Sequence, residues 1–174
     1  LGNGGVFCWY SYVTPMLIHI SGFSPASMTA LMMLAGFGMV VGNLTSGRLS
    51  DRYTPGRVGA TVQGMICIIL LLIFFLAPHP WCAALLMASC TACLFAVSSP
   101  EQVSIIRVAA GGEMFGAACV QVAFNLGNAI GAYCGGKVLN WGYQYPALIG
   151  VPFALVGFIL LTRYYKKYES QYHS

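Results

Sequence analysis

The chain has 174 residues, of which 58% are apolar and only 7% are charged. Soluble globular domains carry about 25% charged residues, so this composition excludes a protein whose surface faces water on all sides. Eight Lys and Arg residues outnumber four Asp and Glu residues. Their positions follow membrane topology, described below, so we expect the lipid bilayer as a partner and no nucleic acid.

Six windows long enough to cross a bilayer follow one another along the chain. A helix needs about 20 mostly apolar residues to cross the ~30 Å hydrocarbon core, where it satisfies its own backbone hydrogen bonds. Residues 1–174 are therefore predicted to form one all-α integral membrane domain. Its six spans are predicted at about residues 1–20, 26–44, 58–77, 81–97, 115–139 and 146–161.

The basic residues fall almost entirely on one side of this predicted bundle. When connections are assigned to alternate sides, one side receives every Lys and Arg except Lys137: Arg48, Arg52, Arg57, Arg107, Arg163, Lys166 and Lys167. Cytoplasmic loops carry an excess of Lys and Arg, so this side is predicted to be cytoplasmic. An even number of spans then places both ends of the segment in the cytoplasm. No initiator Met or signal peptide is seen, and we expect the chain to begin inside a longer protein.

The spans fall into three types that occur in the same order twice. The first and fourth carry polar and aromatic residues, and the third and sixth are apolar all round, which predicts peripheral helices with wide lipid exposure. The second and fifth carry small residues four apart, which allow helix backbones to approach closely in lipid. These packing residues are Gly38, Gly42, Gly127, Gly131 and Gly135. The order predicts a six-helix bundle built as a 3+3 inverted repeat.

Neither a metal, a cofactor nor a catalytic group is expected in this chain. The seven cysteines lie mostly inside apolar spans, where free Cys behaves as a small hydrophobic residue. Cys90 and Cys93 have the spacing of half a metal motif, but no second pair or nearby His completes it. No convergent nucleophile, base or metal set indicates an enzyme. The four acidic residues lie at or beyond predicted membrane edges, so a titrating acid at the midplane is expected elsewhere in the protein: Asp51, Glu101, Glu113 and Glu169.

The connection after the second span carries a recognisable signature. It reads from Gly47 to Arg57, and it resembles the cytoplasmic loop of the major facilitator superfamily, Gly-x-Leu-x-Asp-Arg-x-Gly-Arg. The residues that match in register are Gly47, Leu49, Asp51 and Arg52. Thr54 and Pro55 replace the expected Gly and Arg, and Gly56 with Arg57 restores the pattern slightly displaced.

Further motifs extend this resemblance over nearly the whole chain. They are Tyr12–Pro15, Gly22–Ser24, Gly42–Asn43, and Asn125–Gly127 followed by Gly131 and Gly135–Gly136. Together they are similar to the C-terminal half of bacterial drug and sugar efflux carriers of the arabinose efflux permease type. The resemblance implies half of a secondary active transporter in the bacterial inner membrane, with an N-terminal six-helix half as partner and a small-molecule substrate. It also implies that the first and fourth spans line a central cavity and that the second and fifth meet the other half.

Two sets of polar residues are candidates for that cavity. Tyr10, Ser11 and Thr14 fall with Phe7 in one arc of about 100° on the first span. The alternative is that these side chains are interfacial anchors or bond neighbouring helices. Gln121, Asn125 and Asn128 form a polar arc of about 60° on the fifth span, where buried amides line a watery path or bond other helices. Uncharged groups of this kind suit a neutral polar or amphiphilic solute.

The signature also has a mechanical interpretation. Asp51 is placed to meet the N-terminus of a helix from the other half, a contact of about 0.3 to 1 kcal/mol when exposed, which suits a gate. The simpler alternative is that these charges only mark topology. A membrane scaffold whose helices merely associate remains the alternative to a transporter, because it explains the glycines but not the signature or the amides.

Overall fold

The computed structural model describes residues 2–109 and 111–169, apart from the side chains of residues 107 and 108. Leu1, where the first span is predicted to begin, lies outside these residues. The described chain contains helices and turns without a β-strand, so the all-α prediction is confirmed. Its α-helices are α1 (Gly2–Tyr10), α2 (Val13–His19), α3 (Met28–Arg52), α4 (Pro55–Leu76), α5 (Pro80–Val108), α6 (Glu113–Lys137) and α7 (Tyr145–Tyr164). Shorter 3₁₀ turns cover Pro25–Ser27 and Leu139–Trp141, and one π-helical turn covers Tyr165–Glu169.

The helices α3 to α7 are each long and apolar enough to cross a membrane, by length and composition, within the described part of the chain. The first predicted span is split into α1 and α2. At 1.5 Å per residue, residues 2–19 together cover about 27 Å, which is close to the thickness of the hydrocarbon core. The chain is thus a multi-pass membrane bundle.

The break between α1 and α2 has a local cause. Pro15 has no backbone N–H, so it cannot donate the helical hydrogen bond to the carbonyl of Ser11. The backbone tightens here, and the Tyr12 N–H donates to the carbonyl of Trp9 at 2.8 Å. The indole Nε1 of Trp9 also lies 3.1 Å from the sulfur of Met16 on α2, which ties the two short helices together.

Two helices extend further than the hydropathy windows suggest. Helix α3 continues to Arg52, and α5 continues through Pro100 to Val108. Ser104 donates to the carbonyl of Pro100 at 2.9 Å inside this extension. Glu101 lies within this extension, beyond the predicted span 81–97, and is half-buried. A run of Ser, Ser, Pro and Glu resembles a helix end, and tertiary packing of the longer helix overrides it.

The packing of the helices confirms the internal repeat. Helix α5 packs between α3 and α4, and α1 packs between α6 and α7, while α4 and α7 pack against each other. In span order, α1 corresponds to α5, α3 to α6 and α4 to α7. Replacing each helix by its counterpart gives the same set of contacting pairs. Each triplet therefore contributes the same set of neighbours, as the 3+3 repeat requires.

The apolar third span is less peripheral than predicted. One face of α4 contributes Ile66, Leu70 and Ile73 to the core beside Trp9 and Met87, all essentially buried. Its opposite face is exposed, as lipid contact requires, with large side chains at Met65, Ile68 and Phe75. The helix is apolar all round because it packs against α5 and α7 on one side and meets lipid on the other.

Glycines set the distance between two pairs of helices. A Cβ on Gly38 would lie 2.6 Å from the carbonyl oxygen of Ala88, and one on Gly42 would overlap the carbonyl of Ala92. On the other side of the bundle, a Cβ on Gly131 would overlap the carbonyl of Gly4. Backbone therefore meets backbone between α3 and α5 and between α6 and α1.

Candidate functional site

The polar residues of α1 and α6 lie on one side of the contact between these helices. On α1, Gly4 contacts α6, whereas Gly5 lies against Gly150 of α7. At 100° per residue, Tyr10 therefore turns away from α7, on the other side of the α6 contact. We call this side the open face.

The amides of α6 turn to the same side. Gly127 and Gly131 mark the face of α6 that contacts α1. Asn125 and Asn128 lie about 60 to 120° around the helix from that contact. The first and fifth spans run in the same direction, so the right-handed winding turns these amides toward the open face. Gln121 and Asn125 are exposed there, and Asn128 is half-buried.

The candidate residues of the first span are separated by the helix break. Tyr10 is half-buried near the end of α1, with its ring centroid 6.0 Å from that of Phe7. Ser11 lies in the break and Thr14 on α2, and both are exposed. The single arc predicted for these residues assumes a continuous helix, so it holds only for Phe7 and Tyr10.

Tyr12 was not among the candidate site residues, but it joins the first span to α6. Its phenol donates a 2.8 Å hydrogen bond to the carbonyl of Ala132 on α6. Gly136 leaves room for the hydroxyl, since a Cβ there would lie 2.6 Å from it. Helical periodicity accounts for this position, since Tyr12 lies four residues after Cys8 and eight after Gly4, which both contact α6.

A second missed residue is Asn3, which is 6% exposed. It lies four residues before Phe7 and seven before Tyr10, so helical periodicity already placed it on the same stripe. The Oδ1 atoms of Asn3 and Asn128 are both buried, and the described part of the chain gives neither a hydrogen-bond partner. Buried polar atoms in proteins are normally paired.

The corresponding helices of the other triplet have a different character. On α5, the Thr91 hydroxyl is fully buried and donates to the carbonyl of Ala35 at 3.1 Å. Ser89 donates to its own helix, at the carbonyl of Leu85. Cys90 and Cys93 are buried in the core as free thiols. Thr91, Cys90 and Cys93 therefore lie inside the bundle, whereas Ser89 is exposed and bonds to its own helix.

The signature residues lie on a helix rather than in a loop. Gly47, Leu49, Asp51 and Arg52 occupy the last turns of α3, and only Tyr53 and Thr54 connect it to α4. Asp51 and Arg52 are exposed at this end. The Arg57 guanidinium lies 5.5 Å from the centroid of the Tyr53 ring, within the range of a cation–π contact.

The N-terminus of α4 receives a carboxylate from the end of the same chain. Glu169 Oε2 accepts a 2.8 Å hydrogen bond from the backbone N–H of Gly56. A negative charge is favourable at this position, because the first N–H groups of a helix lack helical partners. The contact joins the π-helical turn after α7 to the start of α4.

A cavity of 580 Å³ lies toward the same end of the bundle as the signature, between α5, α6 and α7. Its wall is mostly apolar and includes Val120, Phe124 and Leu161, with Glu101 and Ser104 as polar members. Gly2, at the start of α1, also lines it. The cavity is separate from the open face on which the amides lie.

Comparison with known proteins identifies the family. The family model described as Major Facilitator Superfamily matches residues 2–173. The chain belongs to this superfamily. The resemblance to the C-terminal half of a major facilitator carrier is thereby confirmed.

Relatives in two bacteria agree with this assignment. The chain is 45% identical over 172 residues to the protein named "Putative transporter AraJ" of Escherichia coli (strain K12), covering 98% of this chain and 43% of that protein. It is 36% identical over 166 residues to "Inner membrane transport protein YdhP" of the same strain, covering 92% and 42%. It is 33% identical over 165 residues to "Uncharacterized MFS-type transporter YfhI" of Bacillus subtilis (strain 168), covering 93% and 41%. The chain thus spans less than half the length of these major facilitator relatives.

Proposed function

We propose that this chain forms the C-terminal half of a secondary active transporter that exports a small polar or amphiphilic solute, a sugar or a drug-like molecule. The observation that supports this most directly is the open face of α1 and α6, where Tyr10, Gln121 and Asn125 offer uncharged polar groups. Neutral hydroxyl and amide groups recognise solutes by hydrogen bonds without attracting a counter-ion.

Alternating access needs a second half. In carriers of this superfamily the solute binds near the bilayer midplane, at the interface between repeats. Asn125 is the central residue of α6, since Glu113 and Lys137 are its ends. The partner is therefore an N-terminal six-helix half of the same carrier, which closes the open face. Asp51 and Arg52 act as gate residues at one end of the bundle.

We place the carrier in a bacterial inner membrane, with both ends of this segment in the cytoplasm. The name of the relative YdhP supports the membrane. The basic residues Arg48, Arg52 and Arg57 support the orientation, since they lie together around the α3–α4 connection. A proton gradient drives the export, and its titrating acid belongs to the half that this chain does not include.

The direct test is transport by the whole carrier in vesicles. Labelled arabinose, its oligomers and a cationic dye are offered with and without an imposed proton gradient. We expect gradient-dependent movement of one solute class, and its loss when Asn125 is replaced by Leu. Asn140→Leu, which changes an exposed amide in the turn after α6, is the matched control. Movement of neither class would contradict the proposal and favour a scaffold.

A further inference from the structure

Helix α4 carries an exposed stripe of side chains that begins with a cation. These side chains recur at helical spacing, and the stripe reads Arg57, Thr61, Met65, Ile68, Leu72 and Phe75. Large apolar side chains on such a face meet lipid chains. Helix α4 has 22 residues and covers about 33 Å, so Arg57 at its first turn lies near the edge of the hydrocarbon core.

Helix α7 has the same arrangement at the same end of the bundle. Its exposed stripe reads Pro152, Val156, Ile159, Arg163 and Lys166. Helix α7 ends at Tyr164 after 20 residues, which cover about 30 Å, so these two cations also lie where the hydrocarbon core ends. Lys167 follows in the π-helical turn and is exposed as well. Four cations therefore lie at one edge of the lipid-facing surface of α4 and α7.

The two stripes border one groove. Helices α4 and α7 are antiparallel, since Gly56 lies against Tyr164 whereas Gly64 lies against Phe158. Seen from one end, antiparallel helices wind in opposite senses, so the residues that follow the contact on each helix turn to the same side. Arg57 is one residue after Gly56, and Lys166 is two residues after Tyr164. Both cations therefore lie on the lipid side of the contact between α4 and α7.

Tyrosine rings hold two of the cations at the membrane surface. The Arg57 guanidinium lies 5.5 Å from the centroid of the Tyr53 ring, and Lys167 Nζ lies 5.2 Å from that of Tyr168. Both rings are exposed. Tyrosine side chains favour the level of the lipid headgroups, so these cations lie at the depth of the lipid phosphates.

The charge around this groove is unbalanced. Within residues 53–57 and 163–169, four cations face one carboxylate, that of Glu169, which accepts a hydrogen bond from the Gly56 N–H. At the opposite ends of the same two helices, residues 72–81 and 139–148 contain no Lys, Arg, Asp or Glu. Membrane topology requires cations in connections on one side, but it does not require them on lipid-facing stripes. The position of these four cations therefore indicates an anion within the lipid layer.

We propose that Arg57, Arg163, Lys166 and Lys167 bind the phosphate of an anionic phospholipid, whose acyl chains lie along the exposed stripes of α4 and α7. Arg and Lys donate charge-assisted hydrogen bonds to phosphate oxygens, and basic pockets between membrane helices bind anionic headgroups. The acyl chains contact the apolar side chains and keep the headgroup at the depth of the cations. This site lies on the peripheral surface of the half and does not depend on the transported solute.

Competition binding by the whole carrier tests the site. The purified carrier, in a mild uncharged detergent, binds fluorescently labelled phosphatidylglycerol, which is displaced by unlabelled phosphatidylglycerol, by phosphatidylcholine or by inorganic phosphate. The site variants are Arg57→Gln and the double variant Lys166→Gln with Lys167→Gln. The matched controls are Arg48→Gln, an exposed cation at the same end on α3, and Lys137→Gln, a cation 5.3 Å from the Tyr133 ring at the end of α6. Thermal unfolding without added lipid checks that each variant is folded.

We expect phosphatidylglycerol to displace the label about tenfold better than phosphatidylcholine does, and each charge removed from the site to weaken binding about fivefold. The two controls should stay within about twofold of the parent carrier. The double variant with Arg at 166 and 167 keeps both charges and should bind as the parent does.

Equal displacement by phosphatidylcholine overturns the inference, and so do equal losses in the controls, because the cations would then only mark topology. Displacement by inorganic phosphate at the same concentration as phosphatidylglycerol also overturns it, since a free anion would then suffice.

Discussion

The phenol of Tyr12 donates a 2.8 Å hydrogen bond to the carbonyl of Ala132, from the break in the first span to the fifth. Tyr12→Phe removes this bond and leaves the ring in place. We expect the free energy of unfolding of the carrier to fall by about 1 kcal/mol, the usual net value of such a bond. Thermal unfolding in detergent measures it. Tyr10→Phe is the control, and equal effects of the two variants would contradict this role for Tyr12.

The second prediction concerns the close backbone contact between α3 and α5. A Cβ on Gly42 would overlap the carbonyl of Ala92, whereas one on Gly36 would have no neighbour within 4 Å. Gly42→Ala forces α3 and α5 apart, at a cost of about 1 to 3 kcal/mol. Gly36→Ala leaves stability unchanged or raises it by up to about 1 kcal/mol, because Ala favours a helix. Thermal unfolding of the two variants should therefore shift the midpoint in different directions, and a common shift would count against the packing argument.

For Gln63, the sign of the change in the free energy of unfolding tests whether its buried amide is satisfied. Its side chain is fully buried, with Nε2 3.3 Å from the carbonyl of Ala154 and Oε1 without a partner in the described chain. Gln63→Met keeps the volume and removes the unsatisfied acceptor, so we expect about 1 kcal/mol of added stability. Gln63→Ala opens a cavity instead and costs about 2 kcal/mol or more. Destabilisation by Met as large as that by Ala would show that the Gln63 amide is satisfied in the carrier.

The cap on α4 predicts a salt-sensitive effect. Glu169→Gln removes the charge next to the Gly56 N–H and keeps the size of the side chain. We expect a loss of about 0.3 to 1 kcal/mol at low ionic strength that shrinks as salt is added, because screening weakens charge–dipole contacts. Thermal unfolding at two salt concentrations checks this, with the exposed Gln102→Ala as control. A loss that is independent of salt would assign the effect to packing.

Orientation is tested by labelling from one side. Single cysteines at positions 79 and 112, in a carrier whose native cysteines are replaced, lie in turns at opposite ends of the bundle. A membrane-impermeant thiol reagent added to intact cells should label His79→Cys and leave Gly112→Cys unlabelled until the cells are opened. The reverse pattern would invert the proposed orientation.

Helical periodicity predicted the residues that share a face, because it depends on one helix alone. It grouped Gln121, Asn125 and Asn128 correctly on one side of α6, and it contained the information for Asn3 as well. It did not predict which neighbour each face meets. Tyr12 lies on the same face as Gly4 and Cys8, but its bond to Ala132 could be found only once α6 was known to pack against that face.

The positions at which helices end were also not predicted well from the sequence. Hydropathy reports the part of a helix inside hydrocarbon, whereas α3 and α5 continue beyond it, to Arg52 and Val108. Glu101 lies in such an extension, where hydropathy does not predict that its side chain is half-buried. The burial of the third span was also missed, since an apolar helix reads the same whether lipid or protein surrounds it.

The glycine contacts have a mechanical consequence. Where Gly42 meets the carbonyl of Ala92 and Gly131 meets that of Gly4, no side chain lies between the helices to change its rotamer. Because no side chains can rearrange at these contacts, each pair cannot easily shift its relative position. The pair α3–α5 and the pair α6–α1 therefore each move as a rigid unit. Any change of shape of the half during a transport cycle must then occur elsewhere. The two places are the side-chain packing between α4 and α7 and the helix break at Ser11.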